Sequence, residues 1–333
     1  LQAPKKEGAP VTATLEQILT PITTLWRFDY EANLKTLRDL YEVAKREQWN
    51  AATDIPWHLE TDPAMVGEIA GPGGDPLRDF NFIKELSDEK RVELSKRRSA
   101  WTMSQMLHGE QGALLCCGQL VDAVPDMDGK LYAATQVIDE ARHVEVFHRY
   151  INRLDRVYPI MPSLKALLNA VLTAPKWQMK CVGMQVIAES LAMGSFRMMK
   201  ASTKDEVLSR VVDLTAQDEA RHVSFGLIYM KEELPRMSEP DRDELEDFAL
   251  AAVRMLADPA AQAENGGPLF GIFGEVGIDQ EVALRELTEK FSDPVFRAKQ
   301  PSPFREYVVP QLKRLGLITE RTAPKYQEMG LTA

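Results

Sequence analysis

Apolar side chains recur at three- and four-residue spacing over most of the chain, the period of an amphipathic helix, and no segment sustains the two-residue alternation of a strand. The pattern predicts an all-α protein. Residues 1–25 read as a loosely ordered arm, followed by a first helix from about Phe28 to Gln48. The stretch from Asn50 to Asp79, with Pro56, Pro63 and the GPGGDP segment at 71–76, reads as an irregular connection. Ser87, followed by Asp88 and Glu89, offers an N-cap and an acidic first turn for a long helix. Its apolar stripe runs through Met103, Met106, Leu107, Leu114, Cys117 and Leu120 and ends before Pro125. Further helices are expected at about Gly129–Arg156, between Pro162 and Pro175, at about Lys176–Ala201 and at Thr203–Lys231. Beyond Pro240 three or four more should follow, broken by the glycine-rich GIFGEVG at 271–277. The expected organisation is one helical domain over 1–333, with a core at about 87–232 flanked by an N-terminal arm and helix (1–86) and C-terminal helices (233–333).

Composition narrows the setting. With 44% hydrophobic and 27% charged residues the chain resembles an ordinary globular protein. A net charge of −10 excludes a generally basic, nucleic-acid-binding surface. No apolar run approaches the roughly 20 residues needed to span a bilayer, and the opening LQAPKKEGAP does not read as a signal peptide. Three cysteines, two of them adjacent (Cys116, Cys117 and Cys181), do not form a disulfide framework or a CxxC cluster, so a reducing cytoplasm is the expected location.

The chemistry lies in an internal repeat. The hexapeptide from Asp139 to Val144, Asp-Glu-Ala-Arg-His-Val, recurs letter for letter from Asp218 to Val223, 79 residues later. The same shift carries Glu110 onto Glu189, so each half reads Glu, a second Glu 30 residues on, and His three residues after that. Residues i and i+3 share a helix face, so Glu140 with His143, and Glu219 with His222, can each bind one ion. Thirty residues allow one helix to end and another to return antiparallel. Glu110 would then face the first pair and Glu189 the second. One Glu from each of two helices and Glu-x-x-His from each of two others is the arrangement of a ferritin-like dimetal four-helix bundle.

Burial points the same way. Glu110 sits between Met106 and Leu114, and Glu189 among Val182, Val186, Met193 and Phe196, where an isolated carboxylate is unfavourable. Two divalent cations would neutralise four carboxylates, and oxygen and imidazole donors suit iron or manganese rather than a thiolate-seeking metal. Asp139 and Asp218 suit acceptors for an imidazole N–H, with Arg142 and Arg221 pairing with them inside the bundle. Glu145 and His148 point away from the Glu140/His143 face and read as surface or structural residues, His108 reads as structural, and His58 has no assigned role. Leu114, Phe147 and Met193, about one turn from a ligand, and Phe196, about two turns past Glu189, are candidates to line a substrate cavity, while Met198 and Met199 read as core.

On these six ligands and both Asp-Glu-x-Arg-His motifs, residues 87–232 resemble the ferritin-like di-iron carboxylate oxidases and oxygenases. That superfamily includes the ribonucleotide reductase small subunit, multicomponent hydroxylases, acyl-carrier-protein desaturases and the p-aminobenzoate N-oxygenase group. The resemblance implies a ferritin-like bundle with extra N- and C-terminal helices and two iron ions, with manganese or a mixed Mn/Fe pair as variants. It implies activation of dioxygen, an external electron donor or reductase, and hydroxylation, N-oxygenation or desaturation of a small organic substrate. No nucleic-acid or membrane partner is expected, and a homodimer is compatible. An iron-handling ferroxidase and a radical-bearing reductase subunit are the alternatives. Departures narrow the subfamily. Phe147 replaces the Tyr of radical subunits, Met193 the Thr of multicomponent hydroxylases, and Ala192 the Thr of desaturases. Thr215 stands where the N-oxygenase group adds a further His. The character is closest to that of the stand-alone oxygenases, without their extra ligand.

Overall fold

The computed structural model describes residues 16–62, 77, 79–257, 269–293, 295–296 and 301–332, and no described residue is in a strand. The four long bundle elements fall close to the predicted ranges. Helix α1 (Lys35–Arg46) precedes α2 (Asp88–Ala123), whose N-cap Ser87 accepts from the Lys90 N–H, and α3 (Met127–Leu154). Pro162 opens the short α4 (Pro162–Thr173), its fixed φ suiting a first-turn position. The next bundle element, α5, is made of Trp177–Cys181, a π-helical stretch Val182–Ala188 and Glu189–Ser202. Asp205 caps α6 (Glu206–Glu233) by accepting from the Leu208 N–H at 2.7 Å. Helices α7 (Glu239–Ala257) and α8 (Gln280–Ser292) follow.

One expectation changes. The first helix starts at Lys35 rather than Phe28, because Asp29 binds Arg27, Asn33 and the Glu31 N–H in a local turn. At Leu34 the buried Asp128 takes the N–H, which fixes the entry to α1. The break expected within 271–277 falls at its end: residues 269–275 are helical, and the chain turns at Gly277, with φ of 83°. Of the predicted connection Asn50–Asp79, residues 50–62 are irregular, while 63–76 and 78, like arm residues 1–15, lie outside the described residues.

Topology follows from where the apolar clusters fall. One contains Ala113, Tyr132, Ile187 and Phe225; the other contains Leu107, Phe147, Phe196 and Leu214. Along α2 and α6 the chain passes from the second cluster to the first, and along α3 and α5 it passes the other way. Thus α2 is antiparallel to α3, and α5 to α6, while α3 and α5 run parallel through a crossover that contains α4. This is a ferritin-like bundle with one crossover. Between the two clusters α2, α3, α5 and α6 each carry buried polar residues, and that layer holds the motif residues.

Candidate metal centre

Glu110, Glu140, His143, Glu189, Glu219 and His222 meet in the middle of the bundle, all buried. Their donor atoms form two overlapping groups, one of Glu110, Glu140, His143 and Glu219 and the other of Glu140, Glu189, Glu219 and His222. Within each group the ligating atoms lie within 4.8 Å of one another, close enough to surround an ion. Glu140 and Glu219 belong to both groups, while Glu110 and Glu189 are terminal in the sense that each belongs to one.

The imidazoles face inward through Nδ1. His143 Nδ1 lies 3.1 Å from Glu110, 3.2 Å from Glu140 and 3.3 Å from Glu219. His222 Nδ1 lies 3.0 Å from Glu219 and 3.2 Å from Glu140. Their outer nitrogens cross between halves: His143 Nε2 is 3.1 Å from Asp218, and His222 Nε2 is 3.2 Å from Asp139. With Nε2–H donating to an aspartate, each Nδ1 keeps its lone pair for a metal. Each histidine is therefore oriented by the other half's motif.

Arg142 binds Asp139 and stands 3.6 Å from Asp218; Arg221 binds Asp218 and stands 3.7 Å from Asp139. The end of α1 and the residues after it close this side. Trp49 Nε1 donates to Asp218 at 2.7 Å, Gln48 donates to Asp139 at 3.2 Å, and Glu47 pairs with Arg221 at 2.9 Å. Arg142 lies over the Trp49 ring, 5.1 Å from its centroid. No motif marks Glu47, Gln48 or Trp49, which are 91 to 174 residues from their partners.

Gln136 is a further residue that motif reading did not reach. Fully buried, its amide donates to Glu140 at 2.9 Å and to Glu189 at 3.1 Å. The 79-residue shift maps it onto Thr215, which supplies the signal that could have found it. Thr215 is also fully buried, yet its hydroxyl has no hydrogen-bond partner.

The electrostatics are those of an acidic pocket suited to cations. Burial raises Glu110 and Glu189 well above the carboxylate range, reinforced at both by the neighbouring Glu219 and Glu140 charges. Burial disfavours charge on His222, but the facing Glu140 and Glu219 outweigh it and lift the imidazole to about 10. At His143 burial is likewise overcome, chiefly by Glu110 and the bond to Asp218. The pocket thus favours positive charge, which bound cations would supply. The buried set of carboxylate oxygens and imidazole nitrogens fits two hard or borderline cations.

A cavity of about 170 Å³ opens beside this layer. Its inner part contains Gly109, Glu110 and Ala113 from α2, and Ala188, Glu189 and Ala192 from α5. These are the same three positions of the repeat, taken once from each half. Leu114, Phe147, Met193 and Phe196, expected as lining, are placed elsewhere. Ala113 and Ala192, three residues beyond the terminal glutamates, face the space, whereas Leu114 and Met193 at four residues turn past it. Phe147 and Phe196 stack on each other at 5.4 Å in the second apolar cluster. Glu145, His148 and His58 are exposed, and His108 Nε2 contacts the Tyr158 carbonyl at 2.8 Å.

Fold and site together define a ferritin-like dimetal carboxylate protein. Residues 30–266 match the model of the p-aminobenzoate N-oxygenase AurF family, and the chain belongs to that family, a group of O2-dependent oxidoreductases in the di-iron carboxylate superfamily. Uncharacterised proteins of Mycobacterium bovis and Mycobacterium tuberculosis are 22% identical over 242 residues, covering 67% of this chain and 69% of each relative. Among solved structures, an R2-like ligand-binding oxidase with an aerobically reconstituted Mn/Fe cofactor aligns at TM-score 0.48 and 18% identity, over 88% of this chain and 99% of that one. No described helix is long and apolar enough to cross a membrane.

Proposed function

We propose that the protein holds two iron ions and uses them to activate dioxygen for oxidation of a small organic substrate. Glu110, Glu140 and His143 would hold one ion, and Glu189, Glu219 and His222 the other, with Glu140 and Glu219 shared. The two overlapping ligand groups carry this reading. Bound iron would supply the redox chemistry with dioxygen. The chain's own part is to fix the imidazoles through Asp218 and Asp139, to hold Glu140 and Glu189 through Gln136, and to keep the layer dry between two apolar clusters. An external electron donor completes the requirement.

The cavity beside Glu110 and Glu189 supports an organic substrate over simple handling of iron, and the stacked Phe147 supports an oxidase over storage of a tyrosyl radical. Hydroxylation, N-oxygenation and desaturation all fit such a site. Anaerobic titration of metal-free protein with ferrous ion should reach close to two equivalents per chain, and saturation at one or none overturns the assignment. Admitting oxygen to the loaded, reduced protein should then consume dioxygen.

A further inference from the structure

The cavity beside the metal layer is apolar to an unusual degree for a site that would take an amino acid or aryl acid. Its walls include Met106, Leu164, Leu168, Met184 and Leu191. Among the described residues that line it there is no Lys, Arg or His. Apart from the two glutamates, its polar side chains are Gln105 and Ser195, and both are committed to backbone. Gln105 donates to the Trp101 and Pro159 carbonyls and accepts from the Met161 N–H; Ser195 donates to the Leu191 carbonyl. A substrate carboxylate held away from the metals would meet methionine and leucine with no cation among the described lining residues, and an unpaired buried charge is strongly unfavourable. Two divalent ions would only balance the four glutamates, leaving no surplus positive charge for a second anion.

Size follows from the same walls. The volume of about 170 Å³ is close to that of an apolar protein cavity of roughly 150 Å³ that admits benzene. The space exists because the repeat places small residues around each terminal ligand: Gly109 and Ala113 around Glu110, Ala188 and Ala192 around Glu189. A Cβ at Gly109 would meet no atom within 4 Å, so a methyl group there enters open space.

We infer that the group this site oxidises is uncharged and hydrocarbon-like, about the size of a benzene ring, and that a free carboxylate such as that of p-aminobenzoate is not accepted. The inference rests on the proposed oxidase reading for the word "oxidises", whereas the cavity's preference can be read without turnover.

The test uses the full chain, both metal-free and loaded anaerobically with ferrous ion, and measures binding of toluene and of p-aminobenzoate by calorimetry and thermal shift. Toluene should bind to both forms at least tenfold more tightly than p-aminobenzoate. Gly109→Phe and, independently, Ala192→Phe should weaken toluene by tenfold or more while iron uptake stays at the wild-type stoichiometry. Gly109→Ala, which enters open space and keeps the fold, should weaken it less. Equal or tighter binding of p-aminobenzoate, or toluene binding that no enlargement alters, overturns the inference. Iron stoichiometry is a separate readout: failure to load iron removes the oxidase reading, while the toluene preference of the metal-free chain decides the cavity assignment by itself.

Discussion

Four residues before the motif glutamate, the first half of the bundle carries Gln136 and the second carries Thr215; four residues after the motif histidine they carry Phe147 and Gly226. The motifs between these positions are identical. Gln136 ties Glu140 to Glu189, whereas the Thr215 hydroxyl is unpartnered. Phe147 fills the apolar cluster against Phe196, whereas Gly226 lets α6 close on the π-helical stretch, where a Cβ would come within 2.6 Å of Gln185. That stretch, Val182–Ala188, precedes Glu189, while α2 reaches Glu110 as regular helix. The repeat preserves donor positions and leaves their support free to diverge. A carboxylate or imidazole has to reach a shared centre, but what packs behind it needs only to fill space and satisfy hydrogen bonds.

The ligand sharing can be broken most severely. Glu140→Ala and Glu219→Ala should each reduce ferrous binding from about two equivalents towards none, because each carboxylate serves both groups. Glu110→Ala and Glu189→Ala should each leave about one. Iron per chain, measured after gel filtration, checks this; equal losses in all four variants would show that no carboxylate is shared.

A smaller effect tests the crossing between halves. In the Glu189→Ala background, where the first-half ion remains, Asp218→Asn should weaken iron about 10–100-fold because Asp218 orients His143. Asp139→Asn, which acts on His222, should have the lesser effect. Competition with a chelator gives the two affinities, and the reverse order would disprove the crossed arrangement.

The smallest contrast is between the unequal supports. Gln136→Leu in metal-free protein should lower stability by about 1–3 kcal/mol, since it removes two buried hydrogen bonds to Glu140 and Glu189. Thr215→Val should be neutral or stabilising by up to about 1 kcal/mol, because it removes a buried hydroxyl without a partner. Denaturant unfolding of the two variants measures both signs; a destabilised Thr215→Val would show that the hydroxyl is in use.

Much of this molecule is written locally. Ser87 and Asp205 cap the helices that follow them, Pro162 opens α4, and the three- and four-residue periodicity marks the buried stripes. The repeated Glu and Glu-x-x-His spacing identifies six candidate ligands because i and i+3 share a helix face whatever the rest of the chain does. The start of α1 at Lys35 was less legible, since it depends on Asp128, more than 90 residues away.

Only tertiary structure decides the remainder. It crosses the aspartates to the opposite histidines, brings Gln48 and Trp49 onto them, makes Glu140 and Glu219 the shared pair, and puts Ala113 and Ala192 rather than Leu114 and Met193 against the cavity. The physical reason is range. Capping and periodicity act over about one helical turn and are fixed by neighbouring residues. Which nitrogen meets which carboxylate, and where four packed helices leave a void, depend on angstrom-level placement of segments far apart in sequence.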